Sequence, residues 1–150
     1  MQFQNRFWEN ESLNGWGNSD VPEEIWRPSW DLAGSTGIIM SYLRWTPAEE
    51  IDALSEEERI NYVLSRWENI FPGATSSVQN GVSQSWAEEE WSNGAWASPT
   101  GSQDTALANH IGLAENRIHF AGEHASDDHG WMQGALFSGI RAATEINEGN

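Results

Sequence analysis

The sequence predicts an α/β chain of mixed α+β character, and three observations carry that expectation. Thr36 to Trp45, TGIIMSYLRW, is an apolar run of strand length set off by Gly34 and Gly37 on one side and Pro47 on the other. Arg59, Ile60, Val63, Leu64, Trp67, Ile70 and Phe71 recur at the three-to-four spacing of one helical face. The ending reads as a short strand, RIHFAG from Arg117 to Gly122, then a polar loop, HASDDHG, and a helix from Met132 to Asn147.

Taken in order, the opening MQFQNRFW alternates Met1, Phe3 and Phe7 with polar neighbours and suits a half-buried strand. Glu9 to Asp20 is polar and rich in Gly and Asn, ending in Ser19, Asp20 and Pro22, which predicts a loop. Thr46, Pro47 and Glu49 have the spacing of a capping box with proline at the first helical position, so a short helix is expected there. Ser55 and Glu58 repeat the box and open an amphipathic helix of about four turns, which Pro72-Gly73 stops. Val78 to Trp86 predicts a further strand, and Trp91 to Asp104 a loop rich in Gly, Ser, Pro and Trp. In the last helix, Met132, Ala135, Leu136, Gly139, Ile140 and Ala143 form one narrow face whose small residues suit close packing on a sheet.

Composition narrows the function classes. The 150 residues carry 7 Arg and no Lys against 23 Asp plus Glu, a formal charge of −16 and a pI near 4.3. Such a surface repels phosphate backbones, and the arginines are scattered, so nucleic-acid binding is not expected. No run approaches the roughly 20 apolar residues of a membrane helix, and the start lacks the basic and apolar regions of a signal peptide. Without cysteine there is no disulfide or thiolate chemistry, and the compartment is left open. Without lysine the chain cannot form a Schiff base.

A strand ending in glycine, a loop and a helix opening with small residues aim a helix N-terminus at the carboxyl end of a sheet, where backbone N–H groups favour an anion or an electron-rich ring edge. An ordinary βα turn has the same pattern. His119, His124, Asp127, Asp128 and His129 invite a metal reading, but they crowd one short turn without the second cluster of a closed site, so no metal is expected. Ser126 and Ser138 lack an adjacent base and a nucleophile elbow. The acidic triplets Glu56 to Glu58 and Glu88 to Glu90 read as solvated faces.

The wording from Arg117 to Ile146, RIHFAGEHASDDHGWMQGALFSGIRAATEI, closely resembles the C-terminal signature of the flavin-containing amine oxidase family, especially its L-amino-acid oxidases. Phe120-Ala121-Gly122-Glu123, Gly130-Trp131-Met132, Gly134-Ala135, Ser138-Gly139 and Arg141-Ala142-Ala143 carry the resemblance, which continues upstream through Arg6 to Glu9, TGIIMSY and Trp86 to Trp96. It implies the C-terminal part of a two-domain FAD-dependent fold. Residues 1–108 would be the later part of the substrate-binding domain, a mixed sheet with helices, and 109–150 the closing strand and helix of the Rossmann-like FAD domain. The family's GxGxxG motif is absent here, and its flavin-proximal Lys is expected just upstream of Arg6 to Glu9, so no catalytic residue is assigned in this chain. A partner chain or fragment carrying GxGxxG is implied, in a heteromer that itself oligomerises.

The resemblance also implies roles. Gly122, Glu123, Gly130, Trp131 and Met132 would meet FAD: Glu123 toward the ribityl and pyrophosphate region, the Met132 N–H at the pyrimidine edge of the ring. Trp131 would wall the substrate cavity, with the Gly130 carbonyl facing the substrate amine. Trp96 falls near the second aromatic wall, while Trp86 and Trp91 face either the flavin edge or the core. Arg27, in Trp26-Arg27-Pro28, either helps bind a substrate carboxylate or is structural. The implied activity is oxidative deamination of an L-amino acid by O2, giving a 2-oxo acid, ammonia and H2O2. Oxidation of a monoamine or polyamine, or a non-catalytic interaction module of the same fold, are the alternatives.

Overall fold

A computed structural model describes residues 1–10, 14–20, 24–29 and 31–149. Within it the chain forms two compact units, Met1–Ser85 and Trp86–Asn150. The expected boundary at 108/109 falls inside the second unit.

The first unit holds two three-stranded sheets. β1 (Gln2–Phe3) lies between β4 (Gly37–Ile38) and β6 (Val78–Asn80), while β3 (Glu24–Trp26) lies between β2 (Gly17–Asn18) and β5 (Met40–Tyr42). Every pairing among the described residues is antiparallel, with Phe3 opposite Gly37 and Ile25 opposite Ser41. The run Thr36 to Trp45 is therefore not one strand: it passes from the first sheet to the second at Ile39, which is fully buried and exchanges backbone hydrogen bonds with Met1. Ile39 is a crossing point.

The opening strand is shorter than expected, because the chain turns into α1 (Phe7–Asn10) and stacks Phe7 and Trp8 edge-on against Phe3. Phe3, Trp8, Ile25, Ile39, Val63, Leu64, Trp67, Phe71 and Ala74 make the core. Gly37 allows it. A Cβ there would stand 2.6 Å from Trp8 Cζ2 and 2.8 Å from Arg6 Cγ, and the Arg6 guanidinium is itself fixed on the carbonyls of Thr36 and Leu32.

The expected loop at Glu9 to Asp20 contains β2, which pairs with β3; its residues 11–13, with Pro22, lie outside the described residues. α2 (Trp45–Asp52) is N-capped by Arg44 without a side-chain bond, so the Thr46–Glu49 box does not set its start. Tertiary contact does: Arg44 is extended and ion-paired to Glu24 at 2.6 Å. α3 (Glu56–Ile70) begins as expected, with Ser55 and Glu58 forming a reciprocal capping box. Its buried face is Val63, Leu64 and Trp67, Phe71 following as the buried C-cap, whereas Ile70 is exposed. Beyond it, the Glu68 carboxylate accepts from the N–H groups of Gly73 and Thr75, fastening α4 (Ala74–Ser77). The predicted strand from Val78 stops at Asn80, because the next segment bonds to helices instead: Ser83 N–H to Glu56 and Ser85 to Asp52. Two members of the first acidic triplet, Glu56 and Glu58, thus have structural partners.

In the second unit, α5 (Gly101–Leu107) occupies the end of the stretch expected as loop. Thr100 and Gln103 cap it reciprocally, the same box as in α3 with Gln for Glu. The segment Arg117 to Gly122 is not a laddered strand among the described residues; it makes one bridge, Glu115 with Ile118, and the Phe120 carbonyl goes to Arg141. A 3-10 turn (Glu123–Ala125) leads on to α6 (Met132–Glu148). The packed face of α6 is Gly134, Ser138 and Ala142, not the expected one: Leu136 and Ile140 are more than half exposed. The helix is apolar on two sides, and its smaller side fits its own preceding loop.

Gly37→Ala should destabilise the full-length protein by about 1–3 kcal/mol in denaturant unfolding, since neither Trp8 nor Arg6 can yield; an unchanged midpoint would show that the ring moves freely. Acid should weaken the fold by a defined route. Ser55 holds the Glu58 carboxyl below its ordinary range, the amides of Thr75 and Gly73 do so for Glu68, and His119 and then Arg141 for Glu145. Each folded value lies below the unfolded one, so the stabilisation is complete above about pH 4.3 and is lost as pH falls through the lowered values. Glu68→Gln should flatten this part of a stability-against-pH curve.

Candidate functional site

The residues that the sequence singles out at the end of the chain converge on one loop, 122–131, and the helix start after it. Gly122 opens the loop with φ +140°, a conformation that favours glycine, and a Cβ there would also meet His124 Cε1 at 2.4 Å. Its N–H donates to the buried Ser138 hydroxyl at 2.9 Å, and that hydroxyl reaches the Gly122 carbonyl at 2.8 Å. Ser138 is committed to the backbone. Ser126 is bound in the same way, donating to the Glu123 carbonyl and accepting from the Asp128 N–H.

Glu123 lies at the centre of this arrangement. One carboxylate oxygen accepts from the Ala97 N–H at 2.8 Å and the other from the Gly130 N–H at 2.7 Å. Gly130 has φ +75°, and a Cβ on it would lie 3.3 Å from Trp96 Cδ1, so the Trp96 ring packs on its α-carbon. Trp96 and Trp131 each adjoin a residue whose amide is bonded to Glu123.

α6 is seated by close approach. A Cβ on Gly134 would fall 2.2 Å from the Asp128 carbonyl oxygen and 2.4 Å from Ser126 Oγ. Two turns further on, Arg141 donates to the carbonyls of Gly112, Phe120 at 2.8 Å and Ala125 at 3.3 Å, and to Glu145 at 2.8 Å. Glu145 in turn holds His119 at 2.9 Å. Backbone carbonyls that a strand ladder would otherwise satisfy are thereby met by one guanidinium.

The outcome is a helix N-terminus presented outward. The N-cap, Trp131, makes no side-chain cap, and Trp131 and Met132 are 68% and 84% exposed. First-turn N–H groups without a side-chain acceptor, with the positive end of the helix dipole, suit an electron-rich acceptor edge, and exposed indole suits a planar neighbour. The structure therefore brings Trp96, Gly122, Glu123, Gly130, Trp131 and Met132 together. Arg27 belongs to the first unit, where its guanidinium is 2.7 Å from the Glu9 carboxylate. Trp86 and Trp91 are exposed rather than core residues of the second unit. Among the described residues, no group of three or more His, Cys, Asp or Glu could hold a metal ion, and no helix is long and apolar enough to cross a membrane. Sequence reasoning assigned no role to Ser138, Arg141 or the Ala97 amide; the Arg141–Glu145 spacing was the available signal for the second of these.

Gly134→Ala should displace the 126–130 turn, since the obstacles are a backbone carbonyl and a hydroxyl held by hydrogen bonds. The expected result is a lower melting temperature together with faster proteolysis within 122–131; a melt and digest like those of the unaltered protein would contradict this packing.

Residues 1–147 match the family model for flavin containing amine oxidoreductases. YobN of Bacillus subtilis (strain 168) is 39% identical over 98% of this chain and 32% of its own length. An L-amino-acid oxidase of Siganus canaliculatus is 34% identical over 99% of the chain and 29% of its own length. A solved putrescine oxidase, a triple mutant redesigned in cofactor binding, superposes with a TM-score of 0.84 at 23% identity, covering 99% of this chain and 34% of that one, which shows the same fold. The chain thus spans about a third of the length of the relatives it matches. On its match to the family model over residues 1–147, the chain belongs to the flavin containing amine oxidoreductase family.

Proposed function

We propose that the chain is the C-terminal part of an FAD-dependent oxidase that deaminates an L-amino acid to its 2-oxo acid with release of ammonia and H2O2. The observation that carries this reading is the exposed Trp131–Met132 pair at an uncapped helix N-terminus, fixed from behind by Gly122, Glu123 and Gly130. FAD, when bound, supplies the two-electron oxidation of the substrate C–N bond with O2 as final acceptor. The flavin fits here through the Met132 N–H, the Gly122–Glu123 turn and Gly130, all of which lie beside open first-turn donors.

This chain's own contribution is to bind, orient and exclude water. Trp131 and Trp96 wall the substrate, and the Gly130 carbonyl accepts from its amine. No acid or base in the loop is needed for that work. Arg27, in the first unit, serves a substrate carboxylate only by exchanging Glu9 for it. The GxGxxG motif and the flavin-proximal Lys come from a preceding N-terminal chain or segment, in a complex that oligomerises. In that whole, 1–108 belongs to the substrate domain and 109–150 to the FAD domain.

The substrate class follows from the walls: indole rings favour an apolar or aromatic side chain. H2O2 release measured for the complete protein across L-amino acids, monoamines and polyamines tests this. Activity confined to amines without a carboxylate would overturn the amino-acid reading and leave the flavin oxidase reading standing. In the same protein, Trp131→Ala should retain flavin absorbance while turnover falls on the order of ten- to a thousandfold, since one wall that positions the α-carbon is gone. Loss of flavin with turnover per flavin unchanged would place Trp131 at the cofactor only.

A further inference from the structure

Resting on that reading, we infer that Glu123 is a positioning residue that sets substrate selectivity by fixing the two aromatic walls relative to one another. A carboxylate has two oxygens and about four lone-pair sites, and here each oxygen takes one backbone N–H from a different segment. Ala97 is 26 residues away in sequence and Gly130 seven. The bridge therefore joins two loops that have no regular secondary structure to hold them, 92–100 and 126–131.

The geometry makes the bridge specific to the tryptophans. Ala97 directly follows Trp96, and Gly130 directly precedes Trp131. The Trp96 ring also rests on the Gly130 α-carbon, at a position where φ +75° and the 3.3 Å approach disfavour a side chain. Carboxylate, indole and glycine close a ring of contacts, so the Trp96 backbone cannot shift without stretching a charge-assisted bond at its neighbour. Glu123 is held in turn by Gly122, whose strained φ and Ser138 contacts fix where the carboxylate starts. The gap between the walls is thereby set from behind, by a group that need not touch the substrate.

Two variants of the complete protein test this, each read in two ways. Glu123→Gln replaces one acceptor by an amide NH2 that faces an N–H. Ala97→Pro deletes one donor and leaves the carboxylate whole, so its flavin content should match the unaltered protein. Amide exchange followed by mass spectrometry on peptides covering 96–98 and 129–131 should quicken in at least one of the two for Glu123→Gln, by on the order of tenfold or more. In the flavin-loaded fraction, KM for L-tryptophan relative to L-alanine should rise about tenfold in both variants, with kcat within a few-fold. Unchanged exchange at both peptides in Glu123→Gln, or an unchanged KM ratio in Ala97→Pro, overturns the inference. A complete protein that carries no flavin, or turns over no amino acid, would overturn the oxidase reading instead, and the exchange comparison, which needs no flavin, would still decide whether the bridge exists.

Discussion

The contact on which the second unit depends is the approach of α6 to the loop that precedes it. A helix backbone can lie against a carbonyl only where no Cβ intervenes, and Gly134 meets the Asp128 oxygen at a distance no other residue could tolerate. Ser138 and Arg141, one and two turns on, then convert proximity into hydrogen bonds with Gly122, Phe120 and Ala125. Because these anchors all lie on one face of the helix, its first turn and its opposite face are left outward. The features that suit a ligand are consequences of that seating: donors without a side-chain cap, an exposed indole and an exposed Met132.

A similar economy governs the first unit. Gly37 admits the Trp8 ring, and the next buried residue, Ile39, carries the chain from one small sheet to the other. Sheets of two- and three-residue strands have few ladder bonds, so their stability rests on the aromatic core beneath them, where Phe3 meets Phe7, Trp8 and Trp67 within 6.0 Å. Side-chain acceptors finish what the ladders leave. Glu68 closes the end of α3 and Glu56 receives the segment that follows β6, so part of the large acidic surplus is structural.

What was legible in the sequence is what local chemistry decides. The Ser55–Glu58 box, the buried stripe of α3 and the bounds of α6 are all set within a few turns of the chain. The Thr100–Gln103 box was equally local, but its Gly/Ser/Pro-rich surroundings hid it. Tertiary contact decided the rest. TGIIMSYLRW has no internal sign that it divides at Ile39, since both halves are equally apolar. The start of α2 follows the Arg44–Glu24 pair, not Thr46. α6 offers two apolar sides, and periodicity cannot say that the one built from Gly134, Ser138 and Ala142 packs on its own loop. The candidate site residues at the chain's end were singled out by wording, through resemblance. Their mutual arrangement, above all Glu123 between Ala97 and Gly130, was not, because a loop's hydrogen bonds leave no pattern in sequence.

We propose that the start of α6 is the face this chain offers to a flavin. An experimental structure of the complete protein with its flavin bound tests it most directly. The expected result is the Met132 N–H within about 2.7–3.2 Å of an acceptor on the flavin ring, with Trp131 beside the substrate cavity and the Glu123 carboxylate still bonded to Ala97 and Gly130. A flavin bound away from this helix, with the first turn of α6 capped by a protein side chain, would contradict the account.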